Sequence, residues 1–368
     1  MSGGVDSAVA AWLLREQGEV LCVTMLLADE CGGARSCCSG DAVERARSTA
    51  AALGLPWHEL DLRDEFRDAV VDPFVARYEA GQTPNPCVAC NRFRLRRLLE
   101  WAGTHGAAAI ATGHYARLRR RRGDLVVLQR AADNGKDQSY MLWQVEQDVL
   151  AAMSLPLGGL TKKEVRRLAR TAALPVADEP ESQEVCFAPY GYRSALADRG
   201  VKPRTGDIVT ADGAVLGRHD GQWRYTIGQR RGLGIAADEP LYVLERRVSS
   251  NQVVVGPRSA LQTLTVTVGE VDDRGLNKAP ELSVQLRYRS APVPVAKLAF
   301  TGGDGVVATL AEPFEAAAPG QSAVFYDNDV VVGGGTITGQ GTCDSLRRVL
   351  SPREPHATHT GGDSWMGT

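Results

Sequence analysis

Residues 2–7 read SGGVDS and run straight into residues 6–18, DSAVAAWLLREQG, an amphipathic helix pattern closed by Gly18. Gly3 and Gly4 let the backbone turn sharply and bring its N–H groups close to a phosphate. The helix that follows points its positive end at the same place. Ser2 and Ser7 add hydroxyl donors. No lysine follows the glycines, which excludes the GxxxxGK(S/T) loop of γ-phosphate-transferring enzymes. On these six residues alone, a tight turn with a serine cap competes with a phosphate cradle.

Outward from this loop, strand and helix patterns alternate. EVLCVTMLLA (19–28) is a mostly apolar strand, and DAVERARSTAAALG (41–54) a helix with Asp41 as N-cap and Gly54 as C-cap. PWHELD (56–61) reads as a strand and RDEFRDAVVDPFVARYEAG (63–81) as a helix. TPNPCVAC (83–90) reads as a loop, because it holds two prolines, and a helix is expected from about Asn91. AAAIATGH (107–114) is a buried strand ending on Gly113. Such alternation implies a doubly wound parallel sheet with ligands beyond the carboxyl ends of its strands. After residue 200 the texture changes to short runs broken by Gly and Asp-Gly, expected to form a small β module and then a β-barrel. The expected division is 1–200, 201–260 and 261–343, with 344–368 a polar tail expected to be disordered.

The chain has 368 residues, with 43 % hydrophobic and 23 % charged content, ordinary values for a globular protein. A formal net charge of −2 means that any nucleic-acid binding rests on local patches. Three basic clusters stand out: Arg92, Arg94, Arg96 and Arg97; Arg117 and Arg119 to Arg122; and Lys162, Lys163, Arg166, Arg167 and Arg170. The competing reading of each is ordinary solvated charge. The sequence lacks a transmembrane-length apolar run and a signal-peptide pattern, so a cytoplasmic location is expected. The eight cysteines are then expected to be reduced thiols.

Cys87 and Cys90 lie in TPNPCVACN, and Cys186 in ESQEVCF. A thiol nucleophile works as thiolate, and the arginines after Cys90, with a helix N-terminus near Asn91, would favour that form. The alternatives are a zinc half-site or a chance pairing of buried thiols; no second C-x-x-C completes a zinc site.

SGGVDS resembles the loop of the ATP pyrophosphatase (PP-loop) superfamily. With TPNPxxxCN, ATGHYAR, KDQSYML, SQEVCF, GQRRGLGI and PGQSAVFYD following in order, the chain resembles the bacterial tRNA-specific 2-thiouridylases from residue 1 to about residue 340. That resemblance implies ATP-dependent 2-thiolation of the wobble uridine of tRNA, using ATP with Mg2+. Ser2, Gly3, Gly4, Val5, Asp6, Ser7, Met25 and Gly113 would bind ATP. Cys186 would carry a persulfide with Cys90 as its partner, and a Cys90–Cys186 disulfide would result. Asn85, Pro86, Cys87, Lys136, Asp137 and Gln138 would touch the target nucleotide, and His114, Arg287, Tyr288 and Gln321 the tRNA. The sulfur would come from a cysteine desulfurase, a relay protein or free sulfide. Each residue also has a bland reading: Met25 as core, His114 as a satisfied loop histidine, Arg287 to Arg289 as a solvated edge.

Two departures stand against the family pattern. The family often carries aspartate where this chain has Cys87, so Cys87, Cys90 and Cys186 could instead hold a four-iron, four-sulfur cluster with one iron open to hydrosulfide. Cys31, Cys37 and Cys38 are expected to be loop thiols near the site, with a separate metal site as the alternative, and Cys22 a core residue; Cys343 suggests no role. The family also has a hydrophobic strand leading into its SGGxDS loop. The expectation here is that Met1 is an internal residue of a longer protein. Two rival functions remain at this stage, an amide-forming synthetase of the same superfamily and a non-catalytic RNA-binding or sulfur-carrier protein.

Overall fold

The computed structural model describes residues 1–28, 40–121, 125–180, 187–188 and 191–342. Cys31, Cys37, Cys38, Arg122, Cys186, Cys343 and the tail lie outside the described residues.

The first part carries α1 (Val5–Arg15), β1 (Cys22–Leu26), α2 (Gly40–Ala52), β2 (Trp57–Asp61), α3 (Arg63–Phe66), α4 (Asp72–Glu79), α5 (Pro86–Thr104), β3 (Ile110–Ala111), β4 (Ala116–Arg120), β5 (Val126–Arg130), α6 (Ser139–Leu142), α7 (Gln147–Ala151), β6 (Met153–Ser154), α8 (Lys162–Thr171) and α9 (Tyr192–Asp198). Strands β1 and β2 pair in parallel, as do β3 and β6. The nitrogen of Met1 donates to the Val23 carbonyl, which lays the start of the SGGVDS loop beside β1. Helix α1 buries an alanine-rich face, with Ala8, Val9 and Ala11 against Val165 and Ala169 of α8. Small side chains permit that close approach. A capping box built by Thr161 and Glu164 starts α8.

Three expectations shift by local chemistry. Helix α2 starts at Gly40, so Asp41 lies in its first turn, where a carboxylate still favours the helix dipole. Between α3 and α4, Arg67–Val71 forms one π-turn just before Pro73, whose missing N–H the wider turn accommodates. Helix α5 starts at Pro86 rather than near Asn91. Proline at a helix's first position loses nothing, because that N–H has no intrahelical acceptor.

The second part holds β7 (Gly206–Val209), β8 (Val215–His219), β9 (Tyr242–Arg247) and β10 (Gln252–Gly256), in sheet order β8-β7-β10-β9. The third holds β11 (Gln262–Asp273), β12 (Leu282–Gln285), β13 (Val293–Phe300), β14 (Val306–Glu315), β15 (Ser322–Asp327) and β16 (Val330–Thr342). These six run β11-β14-β13-β12-β15-β16 and close through β11–β16, an antiparallel barrel. Bulges in β11 opposite β16 give the curvature that closure needs.

The hairpin β4–β5 joins the barrel sheet by pairing β5 with the start of β16. Hydrophobic burial continues across that seam. Tyr140, Leu142 and Trp143 share one buried cluster with Val324, Tyr326 and Val331 of the barrel. Trp143 donates to Ser322 Oγ at 3.0 Å, and the Tyr140 hydroxyl to the Ser322 carbonyl at 2.9 Å. A Cβ on Gly334 would come within 2.5 Å of the Trp143 ring, so glycine there lets β16 lie flat on the indole. Among the described residues no helix is long and apolar enough to cross a membrane.

Candidate active site

The SGGVDS loop is held from both sides. Gly3 has φ +71°, and a Cβ there would meet the Ala42 carbonyl oxygen of α2 at 2.2 Å. On the other side Gly113 lies against the first turn of α1: its Cβ would meet Asp6 C at 2.7 Å and Ser7 N at 2.8 Å. Gly4 caps α1 in extended conformation without a side-chain cap. Ser7 Oγ accepts from the Ser2 N–H at 3.1 Å and donates to the Gly4 carbonyl at 3.0 Å, while the two hydroxyls lie 3.2 Å apart. Arg45 Nε donates to the Gly3 carbonyl at 3.4 Å. Asp6 faces Lys162 Nζ at 2.7 and 2.8 Å and accepts from the Tyr115 hydroxyl at 2.7 Å. Val5 is buried. The result is a helix N-terminus with a tight, fixed entry, suited to an anion.

From this loop a chain of contacts leads to the cysteine helix. Gly113 packs on Asp6 and Ser7, and His114 follows it. His114 is 6 % exposed. Arg94 approaches its Nε2 at 2.9 Å, and Thr112 Oγ1 lies 2.8 Å from its Nδ1. A guanidinium only donates, so Nε2 accepts and Nδ1 carries the proton toward Thr112. Burial, with the Arg94 charge second, lowers the His114 pKa to about 3, so the ring is neutral at physiological pH. Arg94 also donates to Asn91 Oδ1 at 2.7 and 3.0 Å. Asn91 Nδ2 donates to the Met141 carbonyl at 3.0 Å, and Asn85 Nδ2 reaches Met141 Sδ at 3.4 Å. Asn85 Oδ1 accepts from the Cys87 N–H at 3.1 Å and so caps α5.

Cys87 therefore sits in the first turn of α5 and Cys90 in the second, both half-buried. This corrects the expected helix start near Cys90: the helix N-terminus serves Cys87 instead. The neighbouring arginines are committed elsewhere. Arg92 pairs with Glu146 at 3.1 Å, Arg96 with Asp148 at 2.6 Å and Arg97 with Glu65 at 2.8 Å. Charge in this cluster serves to dock α5 on its neighbours. In the second cluster Arg117 pairs with Asp329 of the barrel, and in the third Lys162 holds Asp6 and Arg170 pairs with Asp178.

Cys90 and Phe93 border the buried cluster of Phe66, Phe74, Tyr78 and Phe187. Phe66 stands between Phe93 and Phe187, with ring centroids 6.0 and 6.1 Å away. Phe187 is the residue directly after Cys186. Met25 borders both this cluster and the one that Cys87 packs against.

The remaining expected site residues are built into joints. Asp137 receives Arg130 at 3.0 Å, the Ala131 and Ser139 N–H groups, and Ser139 Oγ at 2.8 Å. Gln138 exchanges hydrogen bonds with the Tyr115 backbone. The Lys136 N–H donates to the Asp133 carbonyl. Arg287 donates to the Glu315 and Ala316 carbonyls, Tyr288 lies 6.0 Å from Tyr140, and Gln321 Nε2 donates to the Thr83 carbonyl at 2.6 Å. Among the described residues no group of three or more His, Cys, Asp or Glu side chains converges on a metal. Sequence reasoning named Arg94 and His114 separately but missed the hydrogen bonds that join them to Asn91. Cys22 is buried, as expected, and burial pushes its thiol pKa up.

Three families match in sequence: the tRNA methyl transferase HUP domain over residues 1–190, the tRNA methyl transferase PRC-barrel domain over 195–257 and the aminomethyltransferase beta-barrel domain over 264–337. The chain is 48 % identical over 347 residues to the bifunctional protein NifU/MnmA of Rubrobacter xylanophilus, covering 92 % of this chain and 68 % of that protein. It is 45 % identical to the tRNA-specific 2-thiouridylase MnmA of a Synechococcus species, covering 96 % and 98 %. To the protein of that name from Geobacter metallireducens it is 43 % identical, covering 92 % and 95 %.

Proposed function

This chain belongs to the tRNA-specific 2-thiouridylase family, and we propose that it performs ATP-dependent 2-thiolation of the wobble uridine of tRNA through a Cys90–Cys186 thiol pair. One observation carries the thiol pairing: Cys90 borders the hydrophobic cluster in which Phe187, next in sequence to Cys186, is buried. Residues 1–200 carry the chemistry in this reading, and 201–260 and 261–343 hold the RNA. The anticodon loop is single-stranded, so its uridine can be splayed into the site.

ATP, with its Mg2+, lies with its phosphates at the N-terminus of α1, where Gly3, Gly4 and Ser7 present N–H groups and hydroxyls. Met25 and Gly113 border the nucleotide. Uridine O2 attacks the α-phosphorus, and pyrophosphate leaves. The O2-adenylate makes C2 electrophilic and turns a poor leaving group into AMP. The terminal sulfur of a Cys186 persulfide then attacks C2, and AMP departs. Cys90, as thiolate, attacks the Cys186 sulfur, which breaks the S–S bond, leaves sulfur on C2 and forms a Cys90–Cys186 disulfide. A cellular dithiol reduces that disulfide before the next turn. Asn85, Pro86, Cys87, Lys136, Asp137 and Gln138 line the approach of the target nucleotide, and His114, Arg287, Tyr288 and Gln321 that of the tRNA. The sulfur donor is a cysteine desulfurase or a persulfide-carrying relay protein, free sulfide suiting only the cluster route below, and the reaction takes place in the cytoplasm.

Cys87 and Cys90, one helical turn apart, also suit two ligands of a three-cysteine 4Fe-4S cluster, which would bind hydrosulfide at its open iron. The thiol-pair route is carried forward because it needs fewer parts. The deciding experiment is thiolation with Cys87, Cys90 and Cys186 replaced singly by serine, together with iron analysis after anaerobic reconstitution. Iron-free wild type that thiolates, with C87S active and C90S and C186S inactive, supports the thiol pair. Activity that tracks bound iron and fails equally in all three variants refutes it.

A further inference from the structure

Arg246, on β9 of the middle sheet, is 7 % exposed. Its Nη2 donates to the Gln82 carbonyl at 2.6 Å and reaches Thr83 Oγ1 at 3.5 Å. Its Nε and Nη1 are buried without a hydrogen-bond partner. The guanidinium carbon lies 5.5 Å from the Tyr78 ring centroid, and Tyr78 stacks on Tyr192 at 5.1 Å with 21° between planes. A buried cation held only by a carbonyl, a hydroxyl and a ring face is costly, and apolar packing would stabilise the fold better.

Its neighbours show what the cation holds. Gln82 and Thr83 lead into Asn85, the cap of the helix that carries Cys87 and Cys90. Tyr192 opens α9, which follows the stretch containing Cys186. Arg246 thus anchors the loop ahead of the Cys90 helix, and the ring that it faces, Tyr78, stacks on Tyr192 of α9. The barrel grips the same loop independently: the Thr83 N–H donates to the Pro319 carbonyl at 2.7 Å, Gln321 Nε2 donates to the Thr83 carbonyl at 2.6 Å, and a Cβ on Gly320 would lie 2.8 Å from Thr83 N. The ATP loop makes none of these contacts.

We propose that Arg246 is a positioning residue for sulfur transfer: it fixes the loop ahead of the Cys90 helix against the middle sheet, and so holds Cys90 where sulfur transfer needs it. This rests on the thiol-pair reading above. It assigns to the middle sheet a part in the second chemical step and none in ATP cleavage.

The test separates the two steps in single turnovers of the full chain with tRNA, ATP, a cysteine desulfurase and L-cysteine. Pyrophosphate release reports adenylation, and 2-thiouridine by nucleoside mass spectrometry reports sulfur transfer. In R246M, thiolation falls about 10²-fold while pyrophosphate release stays within about twofold, and R246K recovers most of the loss. Equal loss in both steps, or no loss in either, overturns the proposal. If R246M does not fold, Q321L decides: it frees the Thr83 carbonyl without stranding a charge. The proposal predicts a lower thiolation-to-pyrophosphate ratio, whereas a residue that only contacts tRNA raises KM and leaves that ratio unchanged. Alkylation of Cys90 by iodoacetamide, followed by peptide mass spectrometry, reads the same geometry without turnover. It must speed up in R246M and Q321L if the loop loosens, and an unchanged rate counts against the proposal. Wild-type protein that never forms 2-thiouridine refutes the functional reading instead, and the alkylation result then stands alone.

Discussion

Replacing Gly113 by alanine tests whether the nucleotide loop needs its tight seat. The added Cβ would lie 2.7 Å from Asp6 C, 2.8 Å from Ser7 N and 2.9 Å from the Asp6 carbonyl oxygen. All three are backbone atoms in the first turn of α1, so no rotamer change relieves the overlap. Relieving the overlap even to a tight contact moves the helix N-terminus by roughly half an ångström, and overpacking of this kind costs about 1–3 kcal/mol. A misplacement of about 1 Å can cost about 10²-fold in rate, so half of that is worth about tenfold. Pyrophosphate release with saturating tRNA should therefore show kcat/KM for ATP down about tenfold, in a protein whose melting point falls by only a few degrees. Gly103→Ala is the control. Nothing lies within 4 Å of a Cβ there, and alanine inside the exposed last turn of α5 should stabilise by about 0.5–1 kcal/mol with activity unchanged. If G113A is destabilised yet releases pyrophosphate at the wild-type rate, the loop does not hold the phosphates.

Three further outcomes follow from the same contacts. His114 has its pKa depressed to about 3 from an ordinary 6.5, so below pH 6.5 the unfolded chain binds a proton that the folded chain refuses; stability is complete above pH 6.5 and falls as pH drops toward 3. Urea unfolding at pH 5 should show about 2 kcal/mol of this loss, absent in H114Q; equal pH slopes in the two proteins would contradict the neutral-ring assignment. Ser322→Ala leaves the buried Trp143 N–H without its acceptor and should cost about 1–3 kcal/mol, read by denaturant midpoint, while a neutral result would mean the barrel seam does not depend on this bond. Lys162→Met removes the cation facing Asp6 and should raise KM for ATP severalfold without changing tRNA affinity, so an unchanged KM would assign that pair to helix docking alone.

Much of the architecture was legible because it follows from periodicity and turn chemistry. The apolar spacing of α1, the left-handed Gly54 after α2 and the Asp-Gly turns past residue 200 each dictate a local structure, whereas α1 ends at Arg15, short of the expected Gly18. The start of α5 was misread because proline excludes a helix interior but favours a first position, and position is what a bare sequence leaves open. The seam between α6 and the barrel was hidden for a different reason. Ser139, Tyr140 and Trp143 meet Ser322 and Tyr326 across some 180 residues, and no local pattern encodes that pairing. The ion pairs of the first arginine cluster were hidden because their carboxylates, Glu65, Glu146 and Asp148, sit on other elements. The candidate thiols come from chemistry and resemblance. The Arg94–His114 chain behind them, like Arg246, became visible only once folding had brought distant segments together.

The most direct measurement is mass spectrometry of nucleosides from the tRNA of cells that lack this protein. The account predicts that 2-thiouridine at the wobble position disappears, returns with the intact gene and does not return with the C90S gene. Unchanged 2-thiouridine in the deleted cells, or full restoration by C90S, would contradict it.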